Sequence, residues 1–551
     1  MTQEPGAPLA AEPQPLVEAR AGSVGRGLLA SAALIAAVTA VARVIGFGRW
    51  LAFSHSVGAD CVGSAYSAAN VLPNVLYEVV AGGALASAVV PLLAGPLSRG
   101  ARDEVSRVVS ALIGWVLVVL VPLSLLLAVL SGPLSKHLVG ETCPGQQALA
   151  ARMIAVFAPQ VALYGIGVVL TGTLTAHRRF FWPAFAPLLS SVVVVGAYLA
   201  YGSLTNSDQK AADLSGSAEA WLTWGTTAGV AVMTLPLLVP AWKVGVRIRP
   251  TLVFPPGVAR RGLALAAAGI SVLLAQQASV LIALALARSD QGAYNVFQYA
   301  QAVYLLPYAV LAVPLATSAF PRLAERAHAG DDSGFASIAA SSTRLVVLVS
   351  LFGTAVLAGA AVPVGEFFGS LDRAKGGAAL DSMGTALTVM APGLIGFALI
   401  AHIGRALYAR ERGRAAAVAT ALGWVAVIVG SIVGARAADV VTGLAWGNTI
   451  GMSVAGVLLV LALRRVAGVE AVAGLGRLLL LAGVSALVAA VAGRQAAYLL
   501  LDGHAVSVVR AMAAGVLAGV IAAVVFGALL AVLDRKNLGM LVGRITRRRA
   551  T

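Results

Sequence analysis

Arg43 and Arg49 stand six residues apart in the stretch V-A-R-V-I-G-F-G-R-W (residues 41–50), at the end of the first long apolar run. A guanidinium does not deprotonate, and its planar fork of donors matches phosphate oxygens in pairs. At or near membrane depth such a charge is costly unless it faces water, a partner or an anionic ligand. The chemistry on offer is recognition of a phosphate or pyrophosphate headgroup. The competing reading is a snorkelling cap at a helix end. A helix turns about 100° per residue, so this spacing sets the two arginines on different faces. Gly46 and Gly48 between them allow the backbone to break or kink there.

Other polar side chains interrupt apolar stretches. Glu78 is expected inside the second span, where a carboxylate would pair with Arg43 or Arg49 or take up a proton during transport. Asn70, Asn74, Gln276, Gln277, Asn295, Gln298 and Gln301 suggest a cavity lining able to bond sugar hydroxyls. Hydrogen bonds between helices, at about 0.6 kcal/mol each, are the alternative. Arg43, Arg49, Glu78, Asn70, Asn74, Gln298 and Gln301 form the candidate substrate-binding set. His177 and His402 have no metal-ligand spacing and read as structural. Arg178, Arg179, Arg410, Arg412 and Arg414 read most simply as topology determinants, with gating at the inner mouth as the other reading. Walker A, HExxH, Gly-x-Ser-x-Gly and Cys/His patterns are all missing from the sequence, which argues against an enzyme, an ATP-driven pump, a metal site or another cofactor.

The elements that must position these residues follow from composition. The chain has 551 residues, 59% of them hydrophobic and 11% charged, against about 25% charged in soluble domains. It reads as an all-α polytopic membrane protein. Fourteen stretches are long and apolar enough to span a bilayer, beginning with 27–48 and 65–93 and ending with 475–496 and 509–533. With the N-terminus inside, 28 of the 39 Lys and Arg fall in inner segments and 8 in outer ones, as the positive-inside rule requires. The net charge of +16 therefore points to loops beside an anionic leaflet and not to nucleic acid. Cys61 and Cys143 both fall on the outer side. A disulfide is chemically permitted there, and two unpaired thiols are the other reading.

A repeat is also visible. Leu72-Pro73 and Leu306-Pro307 lie 234 residues apart, and Ala158-Pro159 and Ala391-Pro392 lie 233 apart. That offset spans six helices. The expected organisation is a disordered cytoplasmic tail (1–25), an N-lobe of six helices (26–250) and a C-lobe of six (251–466). Two further helices (467–535) and a basic cytoplasmic tail (536–551) complete it. Two like lobes around a cavity suit alternating access. Pro73, Gly82, Gly83, Pro91, Pro159, Pro307 and Pro314 within spans are read equally as bends around a path or as close packing.

Arg43-Val44-Ile45-Gly46-Phe47-Gly48-Arg49 resembles the first-helix signature of the MurJ/MviN family, lipid II flippases of the multidrug/oligosaccharidyl-lipid/polysaccharide exporter superfamily. Leu72-Pro73-Asn74 with Gly83-Ala84 and Val90-Pro91 is similar to that family's second helix. Arg178-Arg179-Phe180-Phe181-Trp182-Pro183-Ala184-Phe185-Ala186-Pro187 resembles its fourth loop. Tyr299-Ala300, Pro307 and Phe320-Pro321 resemble helix 8. Pro392-Gly393-Leu394-Ile395-Gly396 with Tyr408-Ala409-Arg410 resembles helix 10 and the loop after it. The resemblance covers about residues 27–535.

It implies a carrier in the bacterial plasma membrane, both termini cytoplasmic, serving peptidoglycan synthesis, cell-wall biogenesis and cell shape. Such a protein moves a polyprenyl-pyrophosphate-linked disaccharide-pentapeptide to the outer leaflet. The head passes through a cationic cavity and the tail lies along a groove made with helices 13 and 14. Expected partners are the lipid-linked glycan, membrane lipids and the cell-wall synthesis machinery. The family's cavity charges are thinned here: Trp50, Ser64, Val71, Tyr77, Glu78, Gln301 and Ala302 stand where it carries other, mostly charged residues. Export of another lipid-linked polysaccharide or a small molecule, and a non-transporting scaffold for wall assembly, are the alternatives.

Overall fold

The computed structural model describes Val38 and residues 41–79, 86–206, 210–255, 258–374, 378–502 and 506–533. The two expected tails, 1–25 and 536–551, lie outside the described residues. The described residues are helices joined by turns, with no strand among them. In the first half these are α1 (41–56), α2 (Cys61–Leu76), α3 (Ala86–Ser98), α4 (Arg102–Val129), α5 (Ser131–Leu138), α6 (Gln146–Phe157), α7 (Gln160–Ala176), α8 (Phe181–Leu204), α9 (Gly216–Thr234) and α10 (Leu238–Lys243). The second half continues with α11 (Val258–Ala287), α12 (Ala293–Pro307), α13 (Val313–His328), α14 (Asp332–Gly359), α15 (Ala361–Leu371), α16 (Ala378–Asp381), α17 (Met383–Met390), α18 (Gly393–Ala409), α19 (Gly413–Ala437) and α20 (Val440–Ala467). Two long helices, α21 (Leu475–Leu501) and α22 (Val508–Leu533), follow.

Among the described residues, 11 helical segments are long and apolar enough to cross a membrane, and 12 if α16–α18, bent by 52°, make one span. The chain is thus a multi-pass α-helical membrane protein. The twelve coincide with twelve of the fourteen expected spans. The other two, 27–48 and 65–93, run into residues outside the described set.

Local chemistry explains where helices begin. Asp60, Ser215, Asp331 and Asp439 each accept a backbone N–H from the first turn of α2, α9, α14 and α20, satisfying donors the helix leaves open. Small residues explain the closest packing. A methyl group on Gly447 would sit 2.1 Å from Ser431 Oγ, and one on Gly451 would sit 2.2 Å from Val427 Cγ2. The α19–α20 seam therefore closes to backbone contact, the way helices pack where water does not drive association.

Like features recur at the offset seen in the sequence. Pro159 and Pro392 separate α6 from α7 and α17 from α18. Arg178 and Glu411, 233 positions apart, are the non-glycine residues with positive φ among the described residues, 60° and 57°. Each closes a helix in the same way, through Arg179 N–H to Leu174 O and Arg412 N–H to Leu407 O. Pro73 and Pro307 are each followed by a π-helical turn, at 77–79 and 308–312.

One expectation is corrected. The helix does not break between the two arginines: α1 runs without interruption from 41 to 56. Gly46 and Gly48 face open space, with nothing within 4 Å of a built methyl, so no neighbour pushes the backbone off its helical path.

Candidate functional site

A cavity of about 230 Å³ lies between α1, α2, α8, α11 and α12. Its charged lining is Arg49 and Glu78, and its uncharged polar lining includes Asn70, Asn74, Gln276, Gln277 and Gln298. Trp50, Phe53, Tyr66, Tyr198 and Tyr294 make an aromatic wall. The polar groups come from helices of both halves of the chain.

Continuous helix α1 brings Arg49 to the cavity and carries it half-buried. Its guanidinium lies 5.9 Å from the Trp50 ring. Glu78 sits in the π turn that follows α2. A π turn widens the helix by one residue and displaces the side chains after it. Neither Arg49 nor Glu78 takes part in an ion pair among the described residues. Asn70 Oδ1 is buried without a hydrogen-bond partner. Asn74 is partly used: its Oδ1 accepts from the Tyr164 hydroxyl at 3.2 Å. The wall behind is rigid, because the Tyr66 hydroxyl meets Tyr198 Oη at 2.8 Å and Thr226 Oγ1 at 3.0 Å. Charged and orphaned polar groups around a void are the features from which polar-ligand sites are built.

Five of the seven candidate residues therefore come together here: Arg49, Asn70, Asn74, Glu78 and Gln298. Arg43 and Gln301 do not line the cavity. Arg43 is exposed six residues, about 1.7 turns, earlier on α1, and its charge is felt with that of Arg405 at the Tyr308 hydroxyl. Gln301 is half-buried on α12, one turn beyond Gln298. Asn295 also leaves the cavity set, donating through Nδ2 to Gly58 O at 3.3 Å. His402 is buried against Ser342 Oγ at 3.1 Å, as a structural residue would be. Arg410 is likewise occupied, 4.2 Å from the Phe335 ring and paired with Asp332 at 2.5 Å.

Several features escaped sequence reasoning. The aromatic wall carries no signal, because Tyr and Trp in an apolar helix read as packing. Arg405 reads as one more inner-loop charge. A second cavity of about 420 Å³, almost wholly apolar, lies between α14, α17–α18 and α21. Arg494 marks its polar end and donates to Thr388 Oγ1. Of the two readings the sequence left open for Cys61 and Cys143, the disulfide is the one found, with Cα atoms 6.3 Å apart; it ties the start of α2 to the turn before α6. No group of three or more metal-ligating side chains occurs among the described residues.

With this geometry in place, comparison with known proteins is informative. The family profile described as lipid II flippase MurJ matches residues 53–507. The probable lipid II flippase MurJ of Rhizobium meliloti (strain 1021) is 27% identical over 335 residues, 59% of this chain and 60% of that protein. The chain thus spans about three-fifths of that relative's length. The lipid II flippase MurJ of Burkholderia cenocepacia is 25% identical over 394 residues, 68% of this chain and 72% of that protein. Among solved structures, a lipid II flippase MurJ in an inward closed conformation superposes with a TM-score of 0.70 at 17% identity, covering 90% of this chain and 98% of that one. An inward-facing multidrug resistance transporter of the MATE family, in the MOP superfamily, gives a TM-score of 0.62 at 14% identity over 79% of this chain and 96% of that one.

Proposed function

The chain belongs to the MurJ family, a family of flippases, that is of transporters and not of catalysts; from that premise we propose that it carries lipid II from the inner to the outer leaflet by alternating access. The observation that carries this reading is Arg49 in the central cavity, a permanent cation with no anionic partner among the described residues. A diphosphate crossing hydrocarbon needs matched positive charge, and Arg supplies it bidentately. Arg49 is the pyrophosphate contact in this conformation. Arg43 is the approach contact, together with Arg405. Asn70, Asn74 and Gln298 bond the sugars, Gln301 joins them as α12 turns, and Glu78 is the protonation site.

The moving bodies are the lobes 26–250 and 251–466. Residues 467–535 help form a berth for the polyprenyl tail, supported by the apolar cavity against α21. The basic turns face the cytoplasm with both termini, as the charge bias favours. A cavity of about 230 Å³ falls below the roughly 300–1,000 Å³ of drug-sized sites. It has room for a diphosphate or one sugar ring, so the whole head needs the lobes to part.

That small size also supports the second reading, export of a smaller molecule by the same alternation. One experiment separates them. A bacterium is depleted of its own lipid II flippase, this chain is expressed, and lipid II reaching the outer leaflet is measured. Rescue by the wild type but not by Arg49→Ala, at equal membrane levels, supports the first reading. No rescue by an inserted wild type overturns it and leaves the second.

A further inference from the structure

The turn after α15 reaches from the second half of the chain into the first. Asp372 is buried, and its Oδ2 accepts from Ser54 Oγ at 2.7 Å while its Oδ1 accepts from Ala59 N–H at 2.9 Å. The next residue donates in turn: Arg373 N–H to Ser54 O at 2.9 Å, and its guanidinium to Ser56 O at 2.8 Å, Gly202 O at 3.2 Å and Thr205 O. Ser56 ends α1, and Gly202 and Thr205 sit at the end of α8. The guanidinium therefore caps two helix C-termini, where free carbonyls and the negative dipole end favour a cation. The carboxylate, next to it, lies at the entry to α2, where N–H donors favour an anion.

The rest of this end is stitched the same way. Gly292 N–H donates to Ser64 Oγ at 2.9 Å, and Arg288 donates to His137 O at 3.2 Å. Hydrogen bonds joining residues 41–250 to residues 258–466 cluster here among the described residues. The basic turn around Arg178 lies at the opposite end of α8.

We infer that Asp372 and Arg373 are the gate residues that hold the non-cytoplasmic end of the transport path shut. The inference rests on the reading that the two halves move relative to one another, and deepens it by naming what they must break. Each bond is made by the C-terminal half to a helix end of the N-terminal half, so parting the halves exposes those helix ends to water, which can satisfy them. The gate also has a path to the cavity. Ser56 and Arg49 are seven residues apart on one unbroken helix, about 10 Å at 1.5 Å per residue. An anion drawing on Arg49 therefore pulls on the helix that the gate holds.

The test uses the full chain in right-side-out vesicles. Val57 is fully buried beside the gate, and the native cysteines are bridged. Val57→Cys is labelled with a membrane-impermeant maleimide, and Ser289→Cys, on an exposed turn at the same end, serves as the reference. Arg373→Ala is expected to raise the Val57→Cys labelling rate at least about tenfold while leaving Ser289→Cys unchanged. Arg373→Lys is expected to restore slow labelling in part. An unchanged Val57→Cys rate in Arg373→Ala overturns the inference. So does equal acceleration at both sites, which would make the pair a general structural support. The readout needs no lipid II, so it stands or falls separately from the substrate assignment.

Discussion

The central cavity holds its charges half-buried and the Asp372–Arg373 turn holds its carboxylate buried, and they treat charge in opposite ways. At the turn, the carboxylate and the guanidinium each meet protein donors or acceptors at nearly every position. In the cavity, Arg49 and Glu78 face a void, and Asn70 Oδ1 is orphaned. A charge taken partly out of water without a partner is costly, which is the physical ground for the proposal that a ligand supplies the partner in the cavity. The satisfied pair fixes a conformation; the unsatisfied pair waits for a ligand.

The sharpest way to break this contrast is Arg49→Ala. Hydrogen bonds to a charged group are worth about 1.5–3 kcal/mol, so lipid II transport is expected to fall by about one to two orders of magnitude with insertion unchanged. Arg49→Lys keeps the charge but loses the fork and is expected to fall between. Next comes Gly292→Ala at the gated end. Gly292 has φ 76°, and a methyl there would lie 2.2 Å from Ala59 O, a backbone atom that cannot swing aside. The expected outcome is a melting temperature several degrees lower and faster Val57→Cys labelling, because the clash lies across the seam.

A pH profile gives a smaller effect with a definite sign. Burial pushes the Asp60 carboxyl up from 3.8 to about 7, and the neighbouring Asp372 adds to the rise while Gly63 N–H and Arg373 oppose it. Tyr201 and Tyr299 also feel its charge, and Asp60 lines a further cavity of about 700 Å³ together with Lys210, Asp290 and Asp439. The closed seam buries Asp60 and so prefers it protonated. That preference is complete below about pH 4, weakens as pH rises toward about 7, and is lost above it. The rate of Val57→Cys labelling relative to the exposed Ser289→Cys, which cancels the ordinary rise of thiolate with pH, is therefore expected to increase over that window and level off beyond it, and Asp60→Asn is expected to flatten the ratio. The smallest effect is Tyr66→Phe, which removes bonds to Tyr198 and Thr226. It is expected to cost about 1 kcal/mol of stability with transport largely kept, since the hydroxyl serves the wall and not the ligand.

The sequence made the helical spans legible because hydropathy and loop charge are read directly from residue type. It also exposed Arg49, Glu78, Asn70, Asn74 and Gln298, since a polar group in an apolar run stands out. It could not say which way each one faces. Arg43 and Gln301 carry the same signal as Arg49 and Gln298 but sit at other rotations of the same helices. Asn295, one turn before Gln298, was drawn into the seam instead. The gate was invisible for the opposite reason. Asp372 and Arg373 lie in a turn, where charge is ordinary, and only the fold shows that this turn is buried in the other half. Gly46 and Gly48 misled because they permit a kink without requiring one.

The central claim is that the unpaired charge binds substrate while the paired charge does not. It is tested most directly by the affinity of purified full-length protein for lipid II, measured for the wild type, Arg49→Ala and Asp372→Asn. The account expects binding at least about tenfold weaker in Arg49→Ala and within about twofold of wild type in Asp372→Asn. Equal binding by wild type and Arg49→Ala would contradict it.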